Sequence, residues 1–455
     1  MKIGFGEANI TPRGGKIAIA GRIPVRLTDQ IHDEVKAVAM IAGSGSARTV
    51  WVSCDICHPT CALTEDVAAL LDDVLPEFHK DQLIISATHT TACCRLANDY
   101  LTLSELPSSD NVLSLLDARA QVCDGIVKAV KTAYENSEEC VASYACADIL
   151  TGLCRRVVYR DGSAIMYGRT DREDFFGMEY PDGGPTKVLY FRSVSTDALK
   201  GIFVSAPCPA QADETSPYIT ADYWGITREH VKKALGSTVV VMGVCASAGE
   251  LAPKRLMNTY CCPVQGRERA LELGLLIGDA VIEKSSCPIR VYEPRELIYA
   301  RISKELDFPV RQTTEAAYVA AQCYFADADN FHEDGSPRKW FEFNQNKYII
   351  KLWQAKETVH TAQISAIRMG DVLFYTAPVE LYTAYSKQIN NLFPGNPVLD
   401  VQLSNDNLGY LPTQEAIEHG GYSTFLFNTR TGPEGGELFV DTVRTMLNDL
   451  LLEDK

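Results

Sequence analysis

The chain has 455 residues, 46% hydrophobic and 22% charged, a make-up that fits a globular protein with a sizeable core and excludes a disordered chain or a bundle of membrane spans. Its 43 Lys and Arg stand against 59 acids, a formal charge of -16, and no basic stripe offers itself to phosphates, which excludes nucleic acid and anionic membranes as expected partners. The opening MKIGFGEANITPRGG holds no apolar run of signal-peptide length, so a cytoplasmic protein acting on a small-molecule substrate is expected, with assembly into a homo-oligomer left open.

Short apolar runs alternate with amphipathic stretches from the start. KAVAMIAG and RTVWVSCD read as strands, LTEDVAALLDDVLPEF as a helix with acids in its first turn, QLIISA as a strand and DARAQVCDGIVKAVKTAYEN as a helix. That is the order of an α/β domain. SYACADILTGL, SAIMYGR, TKVLYFRSV and KGIFVSAP then follow with few helices between them, which predicts antiparallel strands and hairpins before DYWGITREHVKKAL resumes a helix. TVVVMGV reads as a strand, GRERALELGLLIGDAVIE as a long helix and IRVYEPRELIYARI as a strand region. Residues 315–356 are predicted helical, HTAQISAIRMGDVLFYTAP is a pair of strands, and ELFVDTVRTMLNDLL is the closing helix. No fixed-period repeat, low-complexity tract or Ser/Pro/Gly linker interrupts the chain, so one large α/β domain over residues 1–455, with mixed β-sheets packed by helices, is predicted.

The 15 cysteines are odd in number and scattered, as small buried hydrophobes are in a reducing compartment. CDICHPTC carries Cys54, Cys57, His58 and Cys61. A redox pair would open a helix directly, yet Pro59 and Thr60 intervene, and a structural zinc site needs a second CxxC that the adjacent Cys261 and Cys262 do not supply. Packing is therefore the reading for these, and for Cys93 and Cys94. His89 follows LIISAT at the expected C-terminal end of a strand, where α/β folds gather ligands; structural hydrogen-bonder and metal ligand are both open to it. Ser247 in GVCASAG lacks the glycine of a nucleophile elbow, because Cys245 stands there. Phosphate-binding glycine loops are missing, so neither ATP nor NAD is expected. Cys208 in FVSAPCPAQ, Glu380 in LFYTAPVEL and Tyr410 in NLGYLPT lie at expected strand ends. Glu380 is the most telling, since a buried carboxylate needs a cation or donors to meet.

Taken in order, these segments resemble the catalytic domain of the neutral, non-lysosomal ceramidase family, zinc-dependent hydrolases that cleave the amide of N-acyl sphingosine. GFGEANITP resembles the family's opening strand and turn, and WVSCDIC its acidic strand end. SATHTTA resembles the motif written THTHSGP, TAPVELYTAYSKQI the segment with the glutamate ligand, and GYLPTQEAIEHGGY the tyrosine-bearing turn. The resemblance runs from Ile3 to about Leu450. It implies a Zn2+ held by His89, Glu380 and Tyr410, with Cys208 at the place of the family's second histidine ligand, thiolate being a competent zinc donor. It also implies that Tyr422, with the family's spacing from Tyr410 kept, and Arg155 in CRRVVYRDG lie at the scissile bond. The second histidine of THTHSGP is Thr91 here, and the family's serine falls on Ala252. The β-sandwich that follows the catalytic domain in ceramidases is not expected in a chain that stops at Lys455 after its last helix. These departures point away from ceramide.

The implied function is a zinc-dependent hydrolase in which bound water, with its pKa lowered to about 7, attacks an amide or related bond. Tyr422 or Arg155 would steady the oxyanion, and Asp55 at the end of VWVSCD would orient His89. An alternative makes Cys208 a zinc-assisted nucleophile on a glycoside or ester, and the Arg, Tyr and Asp of RRVVYRDGSAIMYGRTDREDFFGMEY suit a polar substrate such as a sugar. A further alternative is a non-catalytic relative acting as a binding module. Ala252 and Thr91 favour it; Glu380, Tyr410 and Tyr422 oppose it.

Overall fold

The computed structural model describes residues 1–21, 25–97, 111–257, 265–293 and 296–452; Cys261 and Cys262 fall outside them. The apolar runs become β1 (Lys2–Asn9), β2 (Lys36–Ala42), β3 (Thr49–Cys54), β4 (Leu83–Ala87), β5 (Glu138–Ala147), β6 (Thr186–Ser193), β7 (Leu199–Ala206) and β8 (Val240–Cys245). They lie side by side in the order β8-β7-β6-β5-β1-β2-β3-β4, and the short strand Arg290–Val291 joins at β5. Neighbours are antiparallel except at the two edges, where β3 runs parallel to β4 and β7 parallel to β8. KGIFVSAP thus forms the expected antiparallel hairpin with TKVLYFRSV and adds a parallel neighbour on its other side. Periodicity identifies a strand but not all of its partners, and the second partner of β7 arrives only after an intervening helix.

The parallel strands are covered on both faces. Every residue of β3 and of β4 is buried, as expected for continuous apolar runs in parallel pairs. Crossover helix α1 (Cys61–Leu71) links β3 to β4, capped by Thr60, whose hydroxyl accepts from the Leu63 amide. Helix α2 (Leu115–Glu135) packs Val122, Ile126, Ala129 and Val130 inward. It approaches β1 so closely that a Cβ on Gly4 would sit 1.9 Å from the Ala133 carbonyl oxygen, which accounts for the glycines of GFG. Helix α3 (Tyr223–Leu235) connects β7 to β8 and packs on α4 (Arg267–Lys284).

A second sheet orders β9 (Tyr299–Pro309), β10 (Val359–Met369), β11 (Val372–Thr376) and β12 (Val398–Val401), antiparallel but for the parallel pair β11 and β12. The two sheets share a core in which the rings of Trp51, Phe203 and Phe374 meet edge to face with centroids 5.0–5.8 Å apart. Between β9 and β10 the chain inserts α5 (Glu315–Ala326) and α6 (Trp340–Ala355), joined through a small aromatic cluster of Phe325, Phe331 and Phe343. Helices α7 (Thr383–Leu392) and α8 (Pro433–Leu452) pack on each other. Among the described residues no helix is long and apolar enough to cross a membrane.

Candidate active site

The C-terminal ends of β4, β8, β11 and β12 meet, tied by backbone bonds from Ala87 to Leu403, Gln402 to Cys245 and Ala377 to Val401. At the first, the Thr88 amide donates to the Cys54 carbonyl at 2.9 Å, and His89 then turns the chain with φ 64, a conformation costly for a residue with a side chain. Its buried ring is held at both nitrogens, Nδ1 lying 2.5 Å from the Cys57 carbonyl oxygen and Nε2 3.2 Å from Glu380 Oε2. Asp55 does not touch this ring. Its carboxylate takes two bonds from Arg228, at 2.6 and 2.8 Å, and one each from the Lys36 amide and the Thr88 hydroxyl. The expected orienting role thus passes to the Cys57 carbonyl, while Asp55 secures the residue before His89.

Glu380 and Tyr410 are register partners in a parallel pair of two-residue strands, Glu380–Leu381 and Tyr410–Leu411. The Gly249 amide, beyond β8, donates to the Leu381 carbonyl at 2.9 Å and ties in that strand end. Arg155 comes from the join between the short strands Leu153–Cys154 and Arg156–Tyr159. Its Nη2 donates to the Gly249 carbonyl at 2.9 Å and the Tyr410 hydroxyl at 3.1 Å, and lies 3.9 Å from Glu380 Oε2. Tyr167, again left-handed at φ 56, brings its hydroxyl to 3.5 Å from Arg155 Nη1, and the Lys254 ammonium lies over its ring. The Tyr422 ring stands 6.2 Å from that of Tyr410 and carries the edge of Phe341, from α6, at 5.5 Å.

Charge in this group is fixed by neighbours more than by burial. Desolvation would raise Glu380, but His89, Arg155 and a hydrogen bond from Tyr410 hold it below the usual carboxylate range. Desolvation would lower His89, yet Glu380 and contact with Cys57 push it up to about 10. Burial raises the phenols of Tyr167, Tyr410 and Tyr422, leaving them protonated donors at neutral pH. A carboxylate, an imidazole, a guanidinium and three phenols therefore converge, an arrangement able to move a proton and to receive a developing oxyanion.

No protein-family model matches the chain, and no curated protein sequence does. Solved structures do. The crystal structure of neutral ceramidase from Pseudomonas aeruginosa superposes with a TM-score of 0.72 at 17% identity, covering 98% of this chain and 73% of that one. A ceramidase complexed with C2 gives 0.73 at 16%, covering 99% and 75%. The chain has the neutral ceramidase fold.

Within that fold His89, Glu380, Tyr410, Arg155 and Tyr422 come together, and Cys208 does not join them. Cys208 is 0% exposed and packs with Tyr223, Trp224 and Val231. Its thiol neighbours the Tyr223 hydroxyl, with Arg269 and Asp222 as its nearest charges, and burial pushes it up. Among the described residues no three His, Cys, Asp or Glu side chains are grouped to hold a metal; His89 Nε2, the Glu380 carboxylate and the Tyr410 hydroxyl are the donors that face one another. Thr91 and Ala252 are buried, and Ala252 pairs with Leu153, two residues from Arg155.

The thiol that reaches this cluster is Cys57, assigned to packing from its spacing. Its backbone carbonyl lies 2.5 Å from His89 Nδ1; burial raises its thiol pKa, but the nearby imidazoles of His58 and His89 outweigh that and bring it down to about 7. Cys54, Cys93, Cys94, Cys123 and Cys245, by contrast, are all pushed up by burial. The signal was available in the strand ends. Cys57 lies just beyond β3 and His89 just beyond β4, two parallel neighbours in register at Cys54 and Ala87. Tyr167 and Phe341 were also passed over, the first inside a polar loop sequence and the second in a helix whose contacts are long-range.

Proposed function

We propose that the chain is a hydrolase that cleaves an acyl bond, amide or ester, of a small polar substrate. The observation that carries this reading is the convergence of His89, Glu380, Arg155, Tyr410 and Tyr422 at the joined ends of three parallel strand pairs, the placement in which α/β folds gather reacting groups. The two sheets share one core, and residues 1–455 act as one catalytic unit. Arg155 is pinned by the Gly249 carbonyl and Tyr410, so it meets a developing oxyanion without first reorganising. Tyr422 is the second donor. Removal of one such group typically costs on the order of 10²–10³ in rate.

The likeness to ceramidases brings zinc into the proposal. His89 Nε2, Glu380 and Tyr410 would hold it, and the contact of Nδ1 with the Cys57 carbonyl suits a metal-bound imidazole, whose second nitrogen is normally tied in this way. When bound, zinc lowers the pKa of its water and polarises a carbonyl. Cys208, seated beside Tyr223, is left out as ligand and as nucleophile.

Hydrolysis of p-nitrophenyl esters and of a panel of N-acyl amides, with metal content measured on the same purified protein, tests the reading. Turnover that falls at least about 100-fold in both Glu380→Ala and Arg155→Met is expected. Folded variants that hydrolyse as fast as the parent would remove this cluster from the chemistry. Zinc at one equivalent, lost in Glu380→Ala, would support the metal form.

A further inference from the structure

Acyl hydrolysis by His89, Glu380, Arg155, Tyr410 and Tyr422 gives no task to Lys254. This half-buried residue follows the short strand Leu251–Ala252, which pairs with Leu153–Cys154 just before Arg155. Its ammonium lies over the ring of Tyr167, 4.8 Å from the centroid, and the Arg155 guanidinium addresses the same ring at 5.9 Å. Two cations thus flank one phenol. The phenol is itself fixed, because the Tyr167 amide donates to the Arg155 carbonyl at 2.7 Å and its hydroxyl lies 3.5 Å from Arg155 Nη1.

Basic residues around this place are matched by carboxylates: Arg156 meets Glu179, Arg172 meets Asp174 and Arg255 meets Glu272. Lys254 is the exception, for among the described residues it makes neither an ion pair nor a hydrogen bond. Arg155 is only partly answered. Its nearest carboxylate, Glu380 at 3.9 Å, is shared with His89, and its Nε has no hydrogen-bond partner among the described residues. Glu214 lies within electrostatic range of Tyr167 but pairs with neither cation. In a chain of formal charge -16, like charges held this close to each other call for an anion between them.

We propose that the substrate carries a carboxylate beside its scissile acyl bond, and that Lys254 and the Tyr167 hydroxyl receive it next to Arg155. The proposal rests on the acyl-hydrolase reading above and names its substrate class: N-acyl amino acids, or half-esters and half-amides of dicarboxylic acids. An ammonium and a protonated phenol both donate to a carboxylate, and such charge-assisted bonds are stronger than neutral ones. Arg155 Nη2, already turned toward Tyr410 and Glu380, stays with the reacting carbonyl. The rings of Tyr410, Tyr422 and Phe341 form the other wall, against which the uncharged part of the substrate rests. An anion approaching an acidic protein is repelled at long range, so the local pair of cations also serves to draw it in.

The test compares matched substrates on the full-length protein, with and without added zinc. N-acetylphenylalanine against N-acetylphenethylamine places the carboxylate on the amine side; p-nitrophenyl hemiglutarate against p-nitrophenyl pentanoate places it on the acyl side. In at least one pair the charged member should have a kcat/KM about 10- to 100-fold higher after subtraction of the enzyme-free rate. That ratio should shrink as NaCl rises from about 0.01 M to about 1 M, fall to near one in Lys254→Met through KM, and return in Lys254→Arg. Tyr167→Phe should lower it several-fold. A merely structural role for Lys254 would slow both members alike and leave the ratio unchanged, which would overturn the proposal. A ratio near one in the parent would overturn it too while leaving the hydrolase reading in place. Calorimetric titration with the two amides separates the remaining cases. Lys254-dependent binding of N-acetylphenylalanine without turnover of any substrate would remove the hydrolase reading and keep the carboxylate site; neither binding nor turnover would sink both.

Discussion

The two edges of the large sheet end alike and present different chemistry. β3 and β4 stop just before Cys57 and His89, and β7 and β8 stop just before Cys208 and Gly249. Both pairs are parallel, and both deliver a sulfur shortly past the last strand residue. At the first edge Cys57 keeps 8% of its surface and places its carbonyl on the His89 ring; at the second Cys208 is fully buried beside Tyr223 and Trp224. Topology thus sets where a side chain is delivered, and the elements packed over the edge decide what it can do there. α3 and its loop seal the second edge, whereas the first stays open to the cleft beside His58.

The comparison can be broken most forcefully at Arg228. It is the buried counter-ion of Asp55, with exposures of 3% and 0%, and Asp55 in turn anchors Thr88. Arg228→Met leaves that carboxylate unpaired and should cost about 3–5 kcal/mol in urea unfolding, taking ester turnover with it. Unfolding unchanged from the parent would show that the first edge is held by something else.

A smaller effect should appear with pH in metal-free protein. His89 is raised to about 10 from a reference of 6.5, so its contribution is fully present below about pH 6.5 and lost as pH rises through about 10, because the folded state binds the extra proton across that window. Unfolding free energy should therefore fall with pH between those limits and fall less in His89→Gln. Equal slopes in the two proteins would contradict the ion pair with Glu380. Cysteine exchange should separate the edges next. Cys208→Ser places a hydroxyl in an apolar cluster and should cost about 1–3 kcal/mol. Cys57→Ser, at a residue that keeps 8% of its surface and whose backbone carbonyl still meets His89, should stay within about 0.5 kcal/mol. Smallest is Phe341→Ala, which removes an edge contact worth about 0.5–1.5 kcal/mol from a half-exposed ring on Tyr422 and should raise KM more than it lowers kcat.

Much of the layout could be read from the residues alone. QLIISA and TVVVMGV are strands because their runs are apolar and β-branched, and GRERALELGLLIGDAVIE is a helix because its apolar residues recur at helical spacing. The pairing of β7 with β8 was not legible, since hydrogen-bond partners across a crossover leave no local trace. His89 and Glu380 drew attention as polar groups at strand ends, and Tyr410 and Tyr422 as parts of a familiar segment. Cys57 did not, because the CxxC spacing directed attention along the chain, whereas the partner of Cys57 lies across the sheet. Asp55 was linked to the wrong neighbour for the same reason: it reaches His89 only through Thr88.

The insertion between β9 and β10 has a consequence for how such a pocket could be re-specified. Those strands remain in register from Tyr299 opposite Met369 to Pro309 opposite Val359, so the helical pair leaves and re-enters the sheet at a single point, as a hairpin loop does. Changing the length of such a loop costs little, about 0.6 kcal/mol for each doubling. The pair has its own aromatic cluster and meets the site through Phe341 on Tyr422. It is a cassette: it can be shortened, lengthened or replaced to redraw the wall against which a substrate rests, while the strand ends that hold Cys57, His89 and Glu380 keep their positions.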